Sequence, residues 1–410
     1  MKQEKIAVIG GGASGMMAAI CAAKNGANVT ILEATKRIGN KILLTGNGKC
    51  NFSNLFMDES CYYCKDEVFL KKIFEKFSPE KTWGFFENAG MLIKNKNGYL
   101  YPAGEQASIV LDILRLELRR VKVNVITEAK VVKITKNDEA FLIETVNGKE
   151  YIFNKVIIAT GGRAYPKTGS DGSGYKLAKK LGHTIVPTVP ALVQLVGSDD
   201  FYKMIAGVRS EGNVKLCIDG REIRTEHGEI QFTDYGISGI PIFQISRQAS
   251  YGLLNKKNVT IYVDVLPDID KEALRGLVQF RKTLHKNNTV EEFMCGLANK
   301  KLCLLAMKKT GNKPDRLVCS LDEDELLQMV LFLKNIVFHI RDTKGYDTAQ
   351  VTAGGVDIFE VDENLQSKCT KNLYFAGEII DVDGICGGYN LQLAFACGYI
   401  AGTAAAKEKV

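Results

Sequence analysis

Several features that mark common protein classes are missing from this chain of 410 residues. It has no run of five basic residues, so its net charge of +7 indicates a solvated surface rather than a nucleic-acid-binding patch. The eleven cysteines are odd in number and scattered, which excludes a disulfide-dense domain and favours reduced thiols in a cytoplasmic protein. Of the four histidines, His227, His285 and His339 lack ligand spacing and His183 is more simply a cap or surface residue, so we expect no metal site.

Long unbroken apolar runs are also missing. The uncharged stretch 6–23 contains three consecutive glycines where a signal peptide would be continuously apolar. The stretch 384–406 contains five glycines and several polar residues, which favours a buried helix over a membrane span. We therefore expect no membrane insertion, and the length suggests two or three domains.

The most informative segment present is Lys5 to Glu33. A short apolar run meets Gly10, Gly12 and Gly15 at GxGxxG spacing, an alanine-rich helical segment follows, and a second apolar run ends on Glu33. This order is typical of a dinucleotide site, in which the glycines admit a pyrophosphate to the helix N-terminus and the acid meets a ribose. An ordinary glycine-rich turn is the alternative interpretation.

The rest of the chain predicts an interrupted α/β fold. Residues 34–54 indicate an irregular loop, 92–102 a hairpin, 105–121 a helix on the sheet, and 124–159 a small antiparallel meander. We expect a first domain part at 1–189, an inserted domain at 190–347 and a second part at 348–410. The insert should be β-rich to about 266 and helical afterwards, to about His339.

Glycine-rich strand ends recur at ATGG (159–162) and in GEIIDVDGICGGYN (377–390), without a second GxGxxG. Three such ends, far apart in sequence, suggest one extended ligand, and FAD fits better than NAD. The Gly387-Gly388 pair before the last helix suggests another N-terminus that faces an anion.

The blocks IGGGASGMMAA, KILLTGNGKCNFSN, ATGGRAYPKTGSDGSGY, FTDYGISGIP, VTAGGV and YFAGEIIDVDGICGGYNLQLAFACGYIAG cover nearly the whole chain. In them the sequence resembles the BaiN/YhiN-type flavoproteins, relatives of the two-dinucleotide-binding-domain oxidoreductases. The resemblance implies a three-layer, Rossmann-like FAD-binding domain with an inserted β plus α substrate domain. It also implies NADH or NADPH as electron donor and a small-molecule substrate, and it leaves the oligomeric state open.

The resemblance further implies a set of cofactor contacts. Gly10 to Gly15 would bind the pyrophosphate, Glu33 the adenosine ribose, and the backbone of Val131 the adenine. The full implied set is Gly10, Gly12, Ala13, Ser14, Gly15, Glu33, Ala34, Lys41, Thr45, Gly46, Gly48, Cys50, Asn51, Val131, Thr160, Gly161, Gly162, Gly377, Glu378, Asp381, Gly388, Asn390 and Leu391.

Candidate catalytic groups are few. Tyr165 and Tyr389 flank glycine-rich loops and are candidate proton donors, although a tyrosine there more often lines the cofactor. Cys50 is more simply interpreted as a small packing residue. His183 follows Gly182, which ends a predicted helix, and is interpreted as a cap or surface residue. A redox dithiol at Cys61 and Cys64 is disfavoured because the segment is irregular.

One departure from the family pattern lies in the insert, which has Asp234 where the family usually has a histidine, and an extra Ile240. This departure puts in doubt any role for position 234.

The family resemblance offers two activities. One is reduction of a conjugated C=C bond in a 3-oxo bile-acid or steroid intermediate by hydride transfer from flavin N5. The other is oxidation of a small amine such as aminoacetone by O2. We favour the reductase because a thiol- and methionine-rich chain suits a reducing cytosol. A flavin-binding redox sensor without turnover is a third hypothesis.

Overall fold

The computed structural model describes residues 4–407. The described chain forms two compact units. The first contains the residues up to Pro190 and those from Tyr346 onward, and the second is Ala191–Gly345. Each unit has a hydrophobic core of its own.

The first unit is built on a five-stranded parallel sheet. Its strands are β1 (Lys5–Ile9), β2 (Asn28–Leu32), β3 (Asn124–Ile126), β4 (Lys155–Ile158) and β5 (Leu373–Phe375), in the spatial order β5-β4-β1-β2-β3. The three central strands read as continuous apolar runs because helices and loops bury both faces of a parallel sheet. This is the Rossmann-like α/β fold that the sequence predicts.

Four helices are used below: α1 (Ala13–Lys24), α2 (Ala107–Arg120), α3 (Ser173–Lys180) and α4 (Tyr389–Ala406). Helices α1 and α4 pack closely because small residues line their contact. A Cβ at Gly398 would collide with the carbonyl oxygen of Ser14, and one at Gly402 with that of Ala18. Among residues 4–407, no helix is both long enough and apolar enough to cross a bilayer.

Other elements of the first unit are shorter. Its further helices are Glu67–Lys76 and Pro79–Asn88, with 3-10 turns at Ile42–Gly48, Glu59–Cys61, Pro166–Thr168 and Ile358–Glu360. Its further strands are Ser53–Asn54, Tyr62–Tyr63, Ile93–Lys96, Tyr99–Pro102, Val131–Lys136, Phe141–Thr145, Glu150–Phe153, Val351–Ala353 and Asp383–Gly384, while Val189–Ala191 lies at the unit boundary. The hairpin turns at Asn97-Gly98, as predicted, with positive φ at both residues.

The predicted meander is only partly correct. Its three middle strands pair antiparallel, whereas its first and last, β3 and β4, belong to the parallel sheet.

The second unit is a closed six-stranded barrel with surrounding helices. The barrel strands are Leu195–Gly197, Arg209–Ile218, Arg221–Phe232, Gly236–Gly239, Val259–Asp264 and Ile336–Thr343. The helices are Tyr202–Ile205, Ile240–Leu254, Lys271–Leu284, Val290–Met294, Lys300–Lys309 and Glu323–Leu333, with a 3-10 turn at Val318–Ser320. The sequence prediction assigned IVFHI to a helix, which is wrong, because alternating burial and β-branched residues make Ile336–Thr343 a barrel strand.

Candidate functional site

The glycine-rich turn between β1 and α1 presents an uncapped helix N-terminus. Gly12 is the N-cap, and among the described residues no side chain caps this end and no acidic residue lies in its first turn. The first N–H groups of a helix have no intrahelical acceptor, so together with the helix dipole they attract an anion. A Cβ at Gly12 would meet no atom of residues 4–407 within 4 Å, so a ligand can approach the backbone there.

The carboxylate of Glu33 is held against this turn. Its Oε2 accepts the Gly11 N–H at 2.8 Å, and its Oε1 accepts the N–H and hydroxyl of Thr35 at 2.8 and 2.7 Å. The Ala129 N–H donates to the carbonyl of Glu33, which brings the segment leading to Val131 alongside. Val131 begins its strand with a buried side chain. The structure thus brings together the glycine-rich turn, Glu33 and the segment that leads to Val131. Ala34, in contrast, is exposed.

All three glycine-rich strand ends meet at the carboxyl edge of the sheet. A Cβ at Gly10 would lie 2.6 Å from the Ala159 carbonyl oxygen, just before the Thr160–Gly162 segment. A Cβ at Gly377 would lie 2.6 Å from Ser14 Oγ, on the first turn of α1. This edge, next to the reversal of strand order, is where open α/β sheets bind ligands.

Helix α4 supplies a second N-terminus, with Gly388 as its N-cap. The side chain of Asn390 is directed back into the preceding loop, where it bonds the Gly384 N–H and carbonyl, both at 2.8 Å. It therefore shapes the loop, whereas its backbone N–H and that of Leu391 lie in the first turn, where the N–H groups have no intrahelical acceptor. Asp381 is buried, and Lys65 Nζ lies 3.4 Å from it.

Lys41 and Glu378 form an ion pair across this edge, with Nζ and Oε2 2.6 Å apart. The other carboxylate oxygen accepts the Thr352 N–H at 2.7 Å. Thr352 Oγ1 in turn accepts the N–H groups of Arg163 and Ala164, at 2.7 and 3.0 Å. Sequence reasoning missed Thr352, although the VTAGGV block that contains it was noted.

Three buried polar atoms at the site have no hydrogen-bond partner in residues 4–407: Asn51 Oδ1, Ser170 Oγ and the Tyr175 hydroxyl. Ser170 Oγ lies 3.0 Å from the Cβ position of Gly161, and the Tyr175 hydroxyl 3.0 Å from that of Gly162. Asn51 Oδ1 lies 2.8 Å from the Cβ position of Gly388. Buried polar groups are normally satisfied, so these atoms fit a site that binds a polar ligand. Ser170 and Tyr175 carry no sequence signal beyond their place in a glycine-rich segment.

The segment after Lys41 is a 3-10 turn that contains Thr45, Gly46 and Gly48. The Thr45 hydroxyl donates to the Ile42 carbonyl at 2.6 Å. Cys50 is fully buried, and burial raises the pKa of its thiol to about 11. A protonated, buried thiol is neither a nucleophile nor a redox group, which supports the packing interpretation.

The two candidate tyrosines differ in setting. Tyr389 is 4% exposed, packs edge-on against Tyr62, and has its phenol pKa raised by burial and by the hydrogen bond with Cys61. Tyr165 is partly exposed and has a left-handed backbone, with φ of 54°. A non-glycine residue in this region is strained, and such strain concentrates at functional sites.

Three other sequence interpretations can be compared with the structure. His183 is not a surface residue: it is 3% exposed, between the end of α3 and the edge strand β5. Cys61 and Cys64 are both free, and burial raises the pKa of Cys64 to about 11. In the second unit, Asp234 is exposed in the loop after Phe232, and the extra Ile240 begins a helix as an exposed residue.

Residues 4–404 match the family described as the HI0933-like protein Rossmann domain. The chain belongs to this family. It is 41% identical to a 3-dehydro-bile acid delta(4,6)-reductase of Clostridium scindens over 98% of this chain and 99% of the relative, which confirms the resemblance seen in the sequence.

The chain is also 28% identical to a ribosomal RNA dihydrouridine synthase of Escherichia coli, over 96% of this chain and 95% of the relative. The fold is similar to that of a 3-ketosteroid-delta4-(5alpha)-dehydrogenase of Rhodococcus jostii, with a TM-score of 0.51 at 16% identity over 99% and 97% of the two chains. These named relatives are enzymes, and the chain is a member of an enzyme family.

Proposed function

We propose that the chain is an FAD-dependent oxidoreductase whose first unit binds the cofactor. The support is chemical: within residues 4–407, two helix N-termini have no side-chain cap, an acid lies beside the first of them, and several buried polar atoms lack partners. A diphosphate linked to a polyol and a heteroaromatic ring would satisfy each of these groups. When bound, FAD supplies hydride chemistry at its N5 position.

The reaction we propose is reduction of a C=C bond conjugated to a carbonyl, in a 3-oxo steroid or bile-acid intermediate. The observation that carries this proposal is the 41% identity to a named bile-acid reductase over nearly both full chains. The overall change adds a hydride to the β-carbon and a proton to the α-carbon, and NADH or NADPH supplies the two electrons. The inserted unit Ala191–Gly345 is the proposed substrate domain.

In this proposal the chain binds and orients the reactants. Glu33 accepts ribose hydroxyl groups, the N-termini of α1 and α4 face anionic or carbonyl oxygens, and Lys41 with Glu378 orders the loop over the site. The partly exposed Tyr165 is the preferred proton donor, since the phenol of Tyr389 is buried against Tyr62.

A second candidate keeps the same chemistry with another substrate. Uracil also has a C=C bond conjugated to a carbonyl, and its reduction gives dihydrouracil. The 28% identity to a ribosomal RNA dihydrouridine synthase is the reason to test this base. The positive charge is spread thinly over the sequence, and for that reason we expect no nucleic-acid partner and rank this candidate second. Oxidation of a small amine and a sensor without turnover remain the other hypotheses.

The test is anaerobic stopped-flow spectroscopy of the purified holoprotein. We expect NADH or NADPH to bleach the flavin, and a 3-oxo-4-ene steroid to reoxidise it faster than a uridine-containing RNA or O2 does. Faster reoxidation by the RNA would select the second candidate. Reduction by aminoacetone with rapid reoxidation by O2 would select the oxidase, and no reduction by any donor would select the sensor. Purified protein without flavin would contradict the whole proposal.

A further inference from the structure

A group of three potential metal ligands lies at the edge of the first unit, beside β5. His183 follows α3, Glu360 ends the turn Ile358–Glu360, and Cys369 lies shortly before β5. One ligand atom from each residue lies within 4.8 Å of the other two: a ring nitrogen, a carboxylate oxygen and the sulfur. Sequence spacing could not reveal the group, because His183 is distant in the chain from the other two.

His183 Nδ1 is the atom that points to a missing ligand. The residue is 3% exposed, and this nitrogen has no hydrogen-bond partner among the described residues. Glu360 Oε2 lies only 3.2 Å away, an ion-pair distance when the ring is protonated. At this separation, His183 Nδ1 and Glu360 Oε2 can both coordinate the same metal ion.

The distances suit a tetrahedral zinc site. Typical bonds are about 2.0 Å from zinc to nitrogen or oxygen and about 2.3 Å to sulfur, so ligand atoms lie roughly 3.3 to 3.6 Å apart. The separation of 3.2 Å between His183 Nδ1 and Glu360 Oε2 matches one edge of such a tetrahedron. The three ligand atoms lie within 4.8 Å of one another, so the sulfur needs to move by roughly 1.3 Å at most, and rotation of the exposed Cys369 side chain permits this.

Neighbouring groups hold the ligands in place, as the second shell of a metal site does. His183 Nε2 lies 2.7 Å from Ser367 Oγ, which also accepts the N–H of Thr370 at 2.7 Å. The Thr184 N–H donates to Glu360 Oε2 at 2.8 Å. The ring of Phe375 packs edge-on against the imidazole, with ring centroids 4.7 Å apart.

We propose that His183, Glu360 and Cys369 bind one Zn2+ ion, with a water molecule as the fourth ligand. Binding displaces the thiol proton of Cys369 to solvent, and the thiolate and carboxylate together neutralise the ion. Nitrogen, oxygen and thiolate ligands in this number select zinc over magnesium or calcium. The ion joins the end of α3 to the segment before β5 and so stabilises this edge of the first unit, and the proposal does not depend on the identity of the cofactor.

The test uses the full-length flavin-loaded protein, stripped of metal with a chelator and then incubated with zinc chloride. We expect one zinc per chain by mass spectrometric metal analysis after gel filtration, and a higher unfolding temperature with zinc than without. Cobalt in place of zinc should give d–d bands in the red, beyond the flavin absorption.

Replacement of the exposed ligand Cys369 distinguishes zinc bound at this site from zinc bound nonspecifically elsewhere on the protein. Cys369→Ser should lose stoichiometric zinc and its thermal effect, as should Glu360→Gln, whereas Cys319→Ser, at an exposed cysteine of the other unit, should keep both. These substitutions avoid the buried His183, so loss of metal need not reflect misfolding. Zinc below one equivalent in the wild type, or equal zinc in Cys369→Ser, would overturn the proposal.

Discussion

Lys41 Nζ lies 2.6 Å from Glu378 Oε2, although the two residues belong to opposite ends of the chain. The first lies in the irregular loop after β2 and the second directly follows β5. The pair is partly buried and is continued by the bond from the Thr352 N–H to Glu378. This contact closes the loop onto the carboxyl edge of the sheet.

We predict that Glu378→Gln weakens FAD binding about tenfold, or about 1.4 kcal/mol, because a neutral amide no longer orders Lys41. Lys41→Met should have a similar effect. The double variant should lose less FAD binding free energy than the two single variants combined, since each change removes the same contact. Equilibrium titration of apoprotein with FAD measures this. Lys36→Met, at an exposed lysine of the same loop, is the control. Strictly additive losses would show that the pair is not a functional unit.

Gly12 provides a steric test of the pyrophosphate position. Because a Cβ there meets no described protein atom within 4 Å, Gly12→Ala should leave the unfolding temperature of the apoprotein nearly unchanged. It should nevertheless weaken FAD binding by about 10- to 100-fold if the cofactor contacts this backbone, as in dinucleotide-binding folds. Gly84→Ala, also with open space at its Cβ, is the matched control. Unchanged FAD affinity in Gly12→Ala would place the pyrophosphate elsewhere.

The two tyrosines should differ in rapid kinetics. Tyr165→Phe should slow flavin reoxidation by an enone by about 10²-fold, the usual contribution of a positioned proton donor. Flavin reduction by NAD(P)H should stay unchanged because it needs no such donor. Tyr389→Phe should slow reoxidation much less, since that phenol is buried against Tyr62 and Cys61. Equal effects of both substitutions, measured by stopped flow, would rule out this assignment.

Asp199 gives the barrel of the second unit a pH-dependent contact. Its Oδ2 accepts the Tyr202 hydroxyl at 2.6 Å and the backbone N–H of His339 at 2.9 Å, and its Oδ1 hydrogen-bonds to Nδ1 of the His339 imidazole at 2.9 Å. Burial opposes ionisation, but these bonds prevail and lower its pKa. Their contribution is therefore present above the unfolded pKa of about 3.9 and is lost as pH falls through the lower folded value.

We expect hydrogen exchange in the strand Ile336–Thr343 to accelerate on acidification below about pH 4. Asp199→Asn should exchange faster already at neutral pH and show a smaller further change, because a neutral amide accepts hydrogen bonds more weakly than a carboxylate and does not titrate. Asp342→Asn, on the same strand, is the control. An unaltered pH profile in Asp199→Asn would exclude Asp199 as the titrating group.

Cys50 should be chemically inert in the folded protein. With a thiol pKa of about 11, its thiolate fraction at pH 8 is about 10⁻³, and the side chain is fully buried. Iodoacetamide at pH 8 should label the exposed Cys319 and spare Cys50, as read by peptide mass spectrometry. Cys50→Ala should keep its flavin turnover. Loss of turnover in a folded, flavin-loaded Cys50→Ala protein would restore Cys50 as a redox candidate.

Local sequence patterns were enough to predict a feature when all the residues that form it lie in one short segment. The GxGxxG turn, Glu33, the Asn97-Gly98 hairpin and the apolar strands β1 and β2 follow from spacing, turn chemistry and periodicity. The family blocks likewise identify the glycine-rich ends that meet at the site. These features depend on contacts between near neighbours, so the order of residues is enough to predict them.

Tertiary structure decided the rest, because the pairing of distant segments leaves no local pattern. Periodicity marks β3 and β4 as strands but cannot show that they join the parallel sheet and not the meander between them. A segment read as helical, IVFHI, becomes a strand only because the barrel offers it partners on both sides. Bringing distant segments together likewise creates the Lys41–Glu378 pair, the group around His183, and the buried hydroxyls of Ser170 and Tyr175, which find no partner in the described part of the chain.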